Sequence, residues 1–502
     1  MSEYPIRRII IVGGGTAGWM SAAALARFVG RGRRIVLVES DAIGTVGVGE
    51  GTIPPILEYN RSLGIDEPAF LAATKASYKL GIEFDGWVRP GERYFHQFGQ
   101  IGYPLEGLPL YQHWLKHERD PGVGPLEAYS MSAAAAARDR FSHPAPDPGS
   151  PLAAIAYAFH FDAALYAAFL RDYASPLGVE RIEGRIVEVA RDGESGDVTA
   201  VTLDDGRALR GDLFVDCSGF RSLLLGEALG VPFEDWSRWL PCDRAVAVPS
   251  ARTEPLQPYT RSSARPAGWQ WRIPLQHRTG NGHVYSSAHI ADDEAERRLL
   301  DSLGGVPVGP VNKLRFTAGR RSVAWSHNVV AIGLSAGFLE PLEATSIHLI
   351  QTSIQRLISL FPANGINAPE RDEYNRQLVS SYDPVRDFLI LHYRANRRDE
   401  PFWRAVRETP PPDSLAERLA LFDECGRIFR RGDELFDVPS WAAVMVGQGL
   451  RPRAIDPVAD ALPDGAVIDA MRQLRSHFAA AADSLPLAAD LIDAIVRSSK
   501  TR

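Results

Sequence analysis

Two patterns in this chain carry chemistry by residue type and spacing. The first is Gly13-Gly14-Gly15-Thr16-Ala17-Gly18, a G-x-G-x-x-G run after the apolar stretch Ile9 to Val12 and ahead of an alanine-rich helix from Trp19 to Phe28. The first glycine permits a tight turn, and the second lets backbone N–H groups approach a pyrophosphate. The third lets helix and strand pack closely, and the helix N-terminus favours the anion. Glu39 closes the next strand, Ile35 to Val38, where a carboxylate accepts a ribose hydroxyl. Together these predict a dinucleotide site, with Gly13, Gly15, Thr16, Ala17, Gly18 and Glu39 on the cofactor. The plainer alternative is a glycine turn selected for packing alone. FAD is expected over NAD because the motif lies at the start of the chain. In addition, two later apolar strands, Leu213 to Asp216 and Val329 to Ile332, run into Gly219 and Gly333 and bring backbone against a long cofactor.

The second pattern is lysine usage. Of 55 basic residues only Lys75, Lys79, Lys116, Lys313 and Lys500 are lysine. With arginine the default cation, a lysine marks a place where an ammonium or an amine is required; the plainer reading is a surface lysine left by chance.

The elements that position these groups follow from length and pattern. At 502 residues, 45% hydrophobic and 23% charged, the chain is long for one domain and ordinary for a globular enzyme. A net charge of −7 gives no electrostatic case for nucleic acid or an anionic membrane. Cys217, Cys242 and Cys425 are scattered without metal-like spacing, so neither a metal site nor a disulfide framework is expected, which suits a reducing cytoplasm. The apolar run after Arg7-Arg8 is too short for a signal peptide or a spanning helix.

The fold expected is α/β. A Rossmann-type FAD-binding domain of the flavin monooxygenase kind is joined to a mixed, largely antiparallel sheet and a mostly helical C-terminal substrate region. Residues 1–110, 152–225 and 312–362 are assigned to the FAD-binding domain. Residues 226–311 and 363–502 are assigned to the substrate region, and 120–151, rich in Pro, Gly and Ser around an alanine run, to an irregular surface cover. A hairpin is expected at Asp205-Gly206, strands over Arg244 to Ala291, and helices from Thr345 onward with a break at Pro410-Pro411-Pro412.

More specific stretches then appear. Gly268-Trp269-Gln270-Trp271-Arg272-Ile273-Pro274 contains W-x-W-x-I-P, and the glycine motif continues as Trp19-Met20. Gly47 to Pro54 (GVGEGTIP), His392-Tyr393 with Asn396, Pro401-Phe402-Trp403 and Trp441 to Gly449 complete the set. In these residues the chain resembles the flavin-dependent halogenases of the tryptophan halogenase-like family, over residues 9 to about 457.

The resemblance implies a two-component enzyme. A separate flavin reductase delivers FADH2, which with O2 and a halide yields hypohalous acid that travels inside the protein to an aromatic ring and substitutes it. It implies that Lys79 takes up the hypohalous acid and that Glu343 stabilises the cationic ring and takes its proton, with Glu340 a nearby alternative. It places the halide, bromide or chloride, at the backbone amides of Thr345 and Ser346, with Gly49, Gly51 and Thr52 on the flavin. His96, Phe98 and Trp441 would line the ring pocket, and Trp269, Trp271, Ile273 and Pro274 would separate flavin from ring; core packing is an equal reading for the two tryptophans. Asp66 as N-cap, Pro68 in the first turn and Gly81 as the stop put Lys79 in the last turn of a helix, with Lys75 one turn earlier as a decoy. Ala344 departs from the serine of many tryptophan-acting members. Cys425 to Trp441 holds no tyrosine, unlike the segment that grips the amino-acid end in tryptophan-specific members, so indole or less polar indoles are expected over free tryptophan. Two other readings stay open: a single-component NAD(P)H-dependent flavin hydroxylase, and a flavin-binding protein without turnover.

Overall fold

A computed structural model describes residues 5–42 and 49–499; Gly47 and Val48 of the early loop lie outside them. The cofactor end is a six-stranded sheet in the order Trp325–Ser326, Val329–Ala331, Leu213–Asp216, Arg8–Val12, Arg34–Glu39, Val179–Glu183. It is parallel except at the Trp325–Ser326 edge. Strands of this kind are apolar on both faces because helices cover both, and Ile9, Ile10 and Ile11 are wholly buried. The helix Thr16–Val29 packs against the helices Ala163–Ala174 and Ser346–Ser359.

The glycine run behaves as its spacing requires. Gly13 has φ +108°, and a Cβ there would meet the Cys217 carbonyl oxygen at 2.3 Å. At Gly18 a Cβ would sit 1.8 Å from the Gly13 carbonyl oxygen, whereas at Gly15 it would meet nothing within 4 Å. The third glycine is therefore demanded by packing and the middle one is free to face a ligand. Gly18→Ala is expected to destabilise the fold by about 3 kcal/mol through backbone overpacking. Gly15→Ala should leave the thermal midpoint of the FAD-free protein unchanged and weaken FAD binding about tenfold. Thermal melts and flavin titration check both.

A seven-stranded sheet forms the second layer, ordered Asn312–Arg315, Arg244–Ala251, Arg278–Tyr285, Gly268–Pro274, Thr260–Arg265, Gly81–Asp85, Arg93–Gln97. Here the expected division of the chain needs correcting. Gly81–Asp85 and Arg93–Gln97, assigned to the FAD-binding domain, pair into the substrate-region sheet through the parallel register Thr260 to Ile82 and Ser262 to Phe84. Parallel pairing across so long a stretch of chain leaves no local signature.

A small antiparallel sheet, Gly49–Gly51, Ala158–Asp162 and Ser77–Lys79, lies between the two layers. Within residues 120–151, expected to be irregular throughout, part is regular and buried. Met131–Ala136 is a helix whose alanines are buried, capped by Ser130 and packed on the C-terminal helix Asp464–Asp483. The alanine run outweighs the flanking Pro and Gly. The hairpin after Leu203, the central strands and the helical back half, broken at Pro410 to Pro412, are present. Among the described residues no helix is long and apolar enough to cross a membrane, and no His, Cys, Asp or Glu cluster could hold a metal.

Candidate active site

The Lys79 position differs from the helical expectation. Asp66 does cap a helix, accepting from Ala69 N–H at 3.1 Å, with Pro68 in its first turn. That helix ends at Thr74, because Lys75 turns left-handed at φ 54°. Ser77–Lys79 then continues as a strand paired with Phe159 and its neighbours. Lys75 is accordingly a helix cap and no longer shares a face with Lys79. Lys79 is fully buried, and its Nζ has no hydrogen-bond partner among the described residues. Burial pushes the amine down from 10.5 to about 7, with the Glu343 carboxylate opposing. Nζ lies 5.2 Å from the centre of the Phe98 ring and 3.3 Å from the point that a Gly51 Cβ would occupy. A side chain at 51 would press on the amine.

Glu343 closes the short 3₁₀ turn Pro341–Glu343 and is also fully buried. His96 Nδ1 is 2.9 and 3.0 Å from its two oxygens, positioned to donate to both. His392 Nε2 lies 2.8 Å from Oε1 without the alignment of a full hydrogen bond. Burial alone would raise this carboxyl; the two rings outweigh it and hold the group down at about 2. His392 is oriented from behind. The Gln448 amide N–H donates to the His392 carbonyl at 2.8 Å and to Tyr94 Oη at 3.2 Å. The Tyr94 hydroxyl lies 2.7 Å from His392 Nδ1; because an ionised Glu343 can only accept, the neutral tautomer that suits it carries hydrogen on Nε2, and Tyr94 then donates to Nδ1. Sequence reading gave His392 no role and missed Tyr94 and Gln448. A buried histidine beside aromatic residues was the available signal.

Glu340 is the buried neighbour with other partners. It accepts from Trp269 Nε1 at 3.0 Å and from the Tyr393 hydroxyl, and burial raises it to about 7. It anchors the signature strand rather than Lys79 or the histidines. Trp269 and Trp271 share one face, as period two requires, with ring centres 6.0 Å apart. Trp271 lies over Gly282, its partner across the ladder, where a Cβ would fall 2.0 Å from the indole. Ile273 packs beside Gly49, and the Pro274 carbonyl accepts from Ser77. The strand thus runs from the Glu340 cluster to the Gly49–Gly51 strand.

His96 lies against Glu343 and Phe98 against Lys79. Trp441 is set further back, its Nε1 on the Phe436 carbonyl and its face covered by Arg418 at 4.0 Å. It reaches the cluster through Phe388, which stacks on Phe436 at 3.8 Å and lies 5.5 Å from His96.

The cofactor groove fits FAD. Gly15 borders open space, and the helix Thr16–Val29 starts without a side-chain cap, leaving its N–H groups to an anion. Glu39 leans over Gly14 and is held by Trp19 Nε1 at 3.3 Å and by Arg181. Gly219 and Gly333 both turn left-handed, at φ +74°, the first after Leu213–Asp216, which pairs with Arg8–Val12, and the second after Val329–Ala331, the next strand outward. Thr52 is fixed against Phe159, its N–H and its hydroxyl both donating to the Phe159 carbonyl and its hydroxyl oxygen accepting from the Phe159 N–H. Ser346 opens a 14-residue helix with no side-chain cap, Ala344 turns left-handed at φ 56° before it, and Thr345 Oγ1 is buried without a partner. The N–H groups of that helix start are left without a side-chain cap, and Ala344 Cβ lies 3.3 Å from the point a Gly51 Cβ would occupy.

Comparison with known proteins identifies the family. The tryptophan halogenase family profile matches residues 8–464. KtzR of Kutzneria sp. (strain 744), a 7-chloro-L-tryptophan 6-halogenase, is 40% identical over 435 residues, covering 82% of this chain and 84% of its own. Among solved structures, Xcc4156, a flavin-dependent halogenase from Xanthomonas campestris, is 46% identical with a TM-score of 0.94, over 98% of both chains. BrvH, a flavin-dependent halogenase from Brevundimonas sp. BAL3, is also 46% identical with a TM-score of 0.93, over 98% of this chain and 99% of its own. The chain belongs to the tryptophan halogenase family and is a flavin-dependent, FADH2-using halogenase.

Proposed function

We propose that the protein halogenates an indole-type ring by electrophilic substitution, with Lys79 handling the oxidant and Glu343 the ring. One observation carries this reading. A buried amine without a hydrogen-bond partner lies near Gly51, which neighbours Ala344, and near Phe98, while two histidines keep the buried carboxylate of Glu343 ionised in the same cluster. FADH2, when bound, supplies hypohalous acid from O2 and halide. Lys79 then hydrogen-bonds that acid as an ammonium or accepts the halogen as a free amine; a value of about 7 keeps both forms accessible. Glu343 faces the developing ring cation and takes the ring proton. Thr345 and Ser346 backbone amides hold the halide, and Trp269, Trp271, Ile273 and Pro274 keep the aromatic away from the flavin. A separate flavin reductase supplies FADH2, as in the family.

The curated relative KtzR is named for a tryptophan substrate, which leans towards tryptophan. The expected preference for less polar indoles rests only on the missing tyrosine and has no support from the comparisons. Tryptophan is accordingly the first substrate to test. With an independent reductase, NADH, FAD, and bromide or chloride, the expected product of tryptophan or indole carries the mass and isotope pattern of one halogen. A product heavier by one oxygen, or none from any aromatic, sinks the proposal, and competition between tryptophan and indole ranks them.

A further inference from the structure

Among the described residues the Lys79 amine has no hydrogen-bond partner, although the proposed chemistry turns on its orientation. Ser77, His160, Gly51 and Lys79 share one face of the small sheet. Gly51 and Ser77 each pair directly with His160, and Lys79 is two residues from Ser77. Across this face stands Thr260, from the edge of the seven-stranded layer's Thr260–Arg265 strand.

The polarity of the hydrogen bonds here is fixed from one end. The Pro274 carbonyl can only accept, so the Ser77 hydroxyl donates to it at 2.5 Å. Ser77 Oγ must then accept from His160 Nδ1–H at 3.2 Å. That leaves His160 Nε2 with a lone pair, accepting from the Thr260 hydroxyl at 2.9 Å. Burial, and secondarily Lys79, drive His160 well below its ordinary range, which keeps the ring in the neutral form that this order demands. Thr260 Oγ1 is therefore left with lone pairs only. It lies 3.5 Å, and Lys79 Nζ 3.3 Å, from the point where a Gly51 Cβ would be.

We propose that Thr260, polarised through His160 and Ser77, is a positioning residue for Lys79: no hydrogen bond joins the two in this structure, and a rotation of the amine across the Gly51 notch lets Oγ1 accept one N–H and turns the remainder of the nitrogen towards oxidant and ring. No proton passes along the chain; its function is direction. The other groups bearing on Lys79 are Glu343 from the 3₁₀ turn, which favours the ammonium, and His160, which stays uncharged. His96 faces the same space from the Arg93–Gln97 strand through Glu343.

This inference rests on the halogenase reading, so its test has an arm that needs no turnover. Only five lysines are present, so 13Cε-lysine NMR of the FAD-free protein resolves Lys79 by its absence from Lys79→Met. In Thr260→Val the acceptor is lost, and Lys79 is expected to titrate at lower pH than in wild type. With reductase, flavin and halide, kcat should fall about tenfold while KM for the aromatic stays within about twofold. Thr260→Ser, which keeps the oxygen, should restore both. Thr260→Ala serves the same comparison if valine does not fold. An unchanged Lys79 titration in a folded variant lacking the hydroxyl overturns the proposal, as does a serine variant as impaired as the valine. If wild type halogenates nothing, the functional reading fails instead, and the titration still reports on Thr260.

Discussion

Lys79→Met is expected to lower halogenated product at least about a thousandfold and, at pH 7, to raise the melting temperature by a few degrees. Both halves follow from one fact, that this amine is sealed away from water without a partner. Its proton affinity falls from 10.5 to about 7 because burial disfavours the charged form, with Glu343 opposing. In the unfolded chain the amine stays protonated up to 10.5, so between pH 7 and 10.5 the unfolded state binds more protons and stability rises with pH. Below 7 the penalty is constant. Methionine, similar in length and uncharged, removes the penalty, so its thermal advantage should be largest at and below pH 7 and should vanish towards pH 10.5. Lys79→Arg should be nearly as inactive as methionine, because guanidinium stays protonated and cannot carry halogen as a free amine. Product mass spectrometry and melts across pH 6 to 10 check the prediction; an active Lys79→Met protein would leave the site without its oxidant carrier.

Glu343→Gln is expected to reduce kcat for ring halogenation by about 10² to 10³, while hypohalous acid continues to form and is intercepted by an external phenol. The carboxylate acts on the ring, not on the halide, so the oxidant is made and wasted. Stability should move the other way from Lys79→Met. Burial would raise Glu343, but His96 and His392 outweigh it and bring it to about 2. A carboxyl held below its unfolded value of 4.5 contributes stability that is complete above 4.5 and lost as pH falls towards 2. Glutamine also turns an amide N–H towards ring N–H groups. Glu343→Gln should therefore melt lower than wild type at pH 7, with the gap narrowing below pH 4.5. Equal melting at pH 7, or a loss of oxidant along with product, would contradict the assignment.

What could be read from the chain was what adjacent residues determine together. The Gly13 to Gly18 turn, its two flanking strands and Glu39 form a contiguous unit, and Gly14 and Gly18 are explained by contacts with Glu39 and Gly13 inside it. The W-x-W spacing likewise fixes a shared face within one strand. Lys79 was placed in a helix because the Asp66 cap and Pro68 are real; the strand that displaces it is imposed by His160 and Phe159, far along the chain. The same distance hid the clamp on Glu343, where a strand residue, His96, and a helix residue, His392, converge. Residues 81–97 were assigned to the wrong layer for that reason too.

The signature strand has one more consequence. Trp269 is tethered to Glu340, three residues before Glu343, and the Pro274 carbonyl holds Ser77, two residues before Lys79. A single stretch of seven residues is thus riveted to the carboxylate at one end and to the amine at the other, and hydrogen-bonded to its sheet throughout. Amine and carboxylate are spaced by backbone rather than by a closing hinge, so a change of pocket shape for a new aromatic can be made in the helical half without resetting the gap that the halogen must cross.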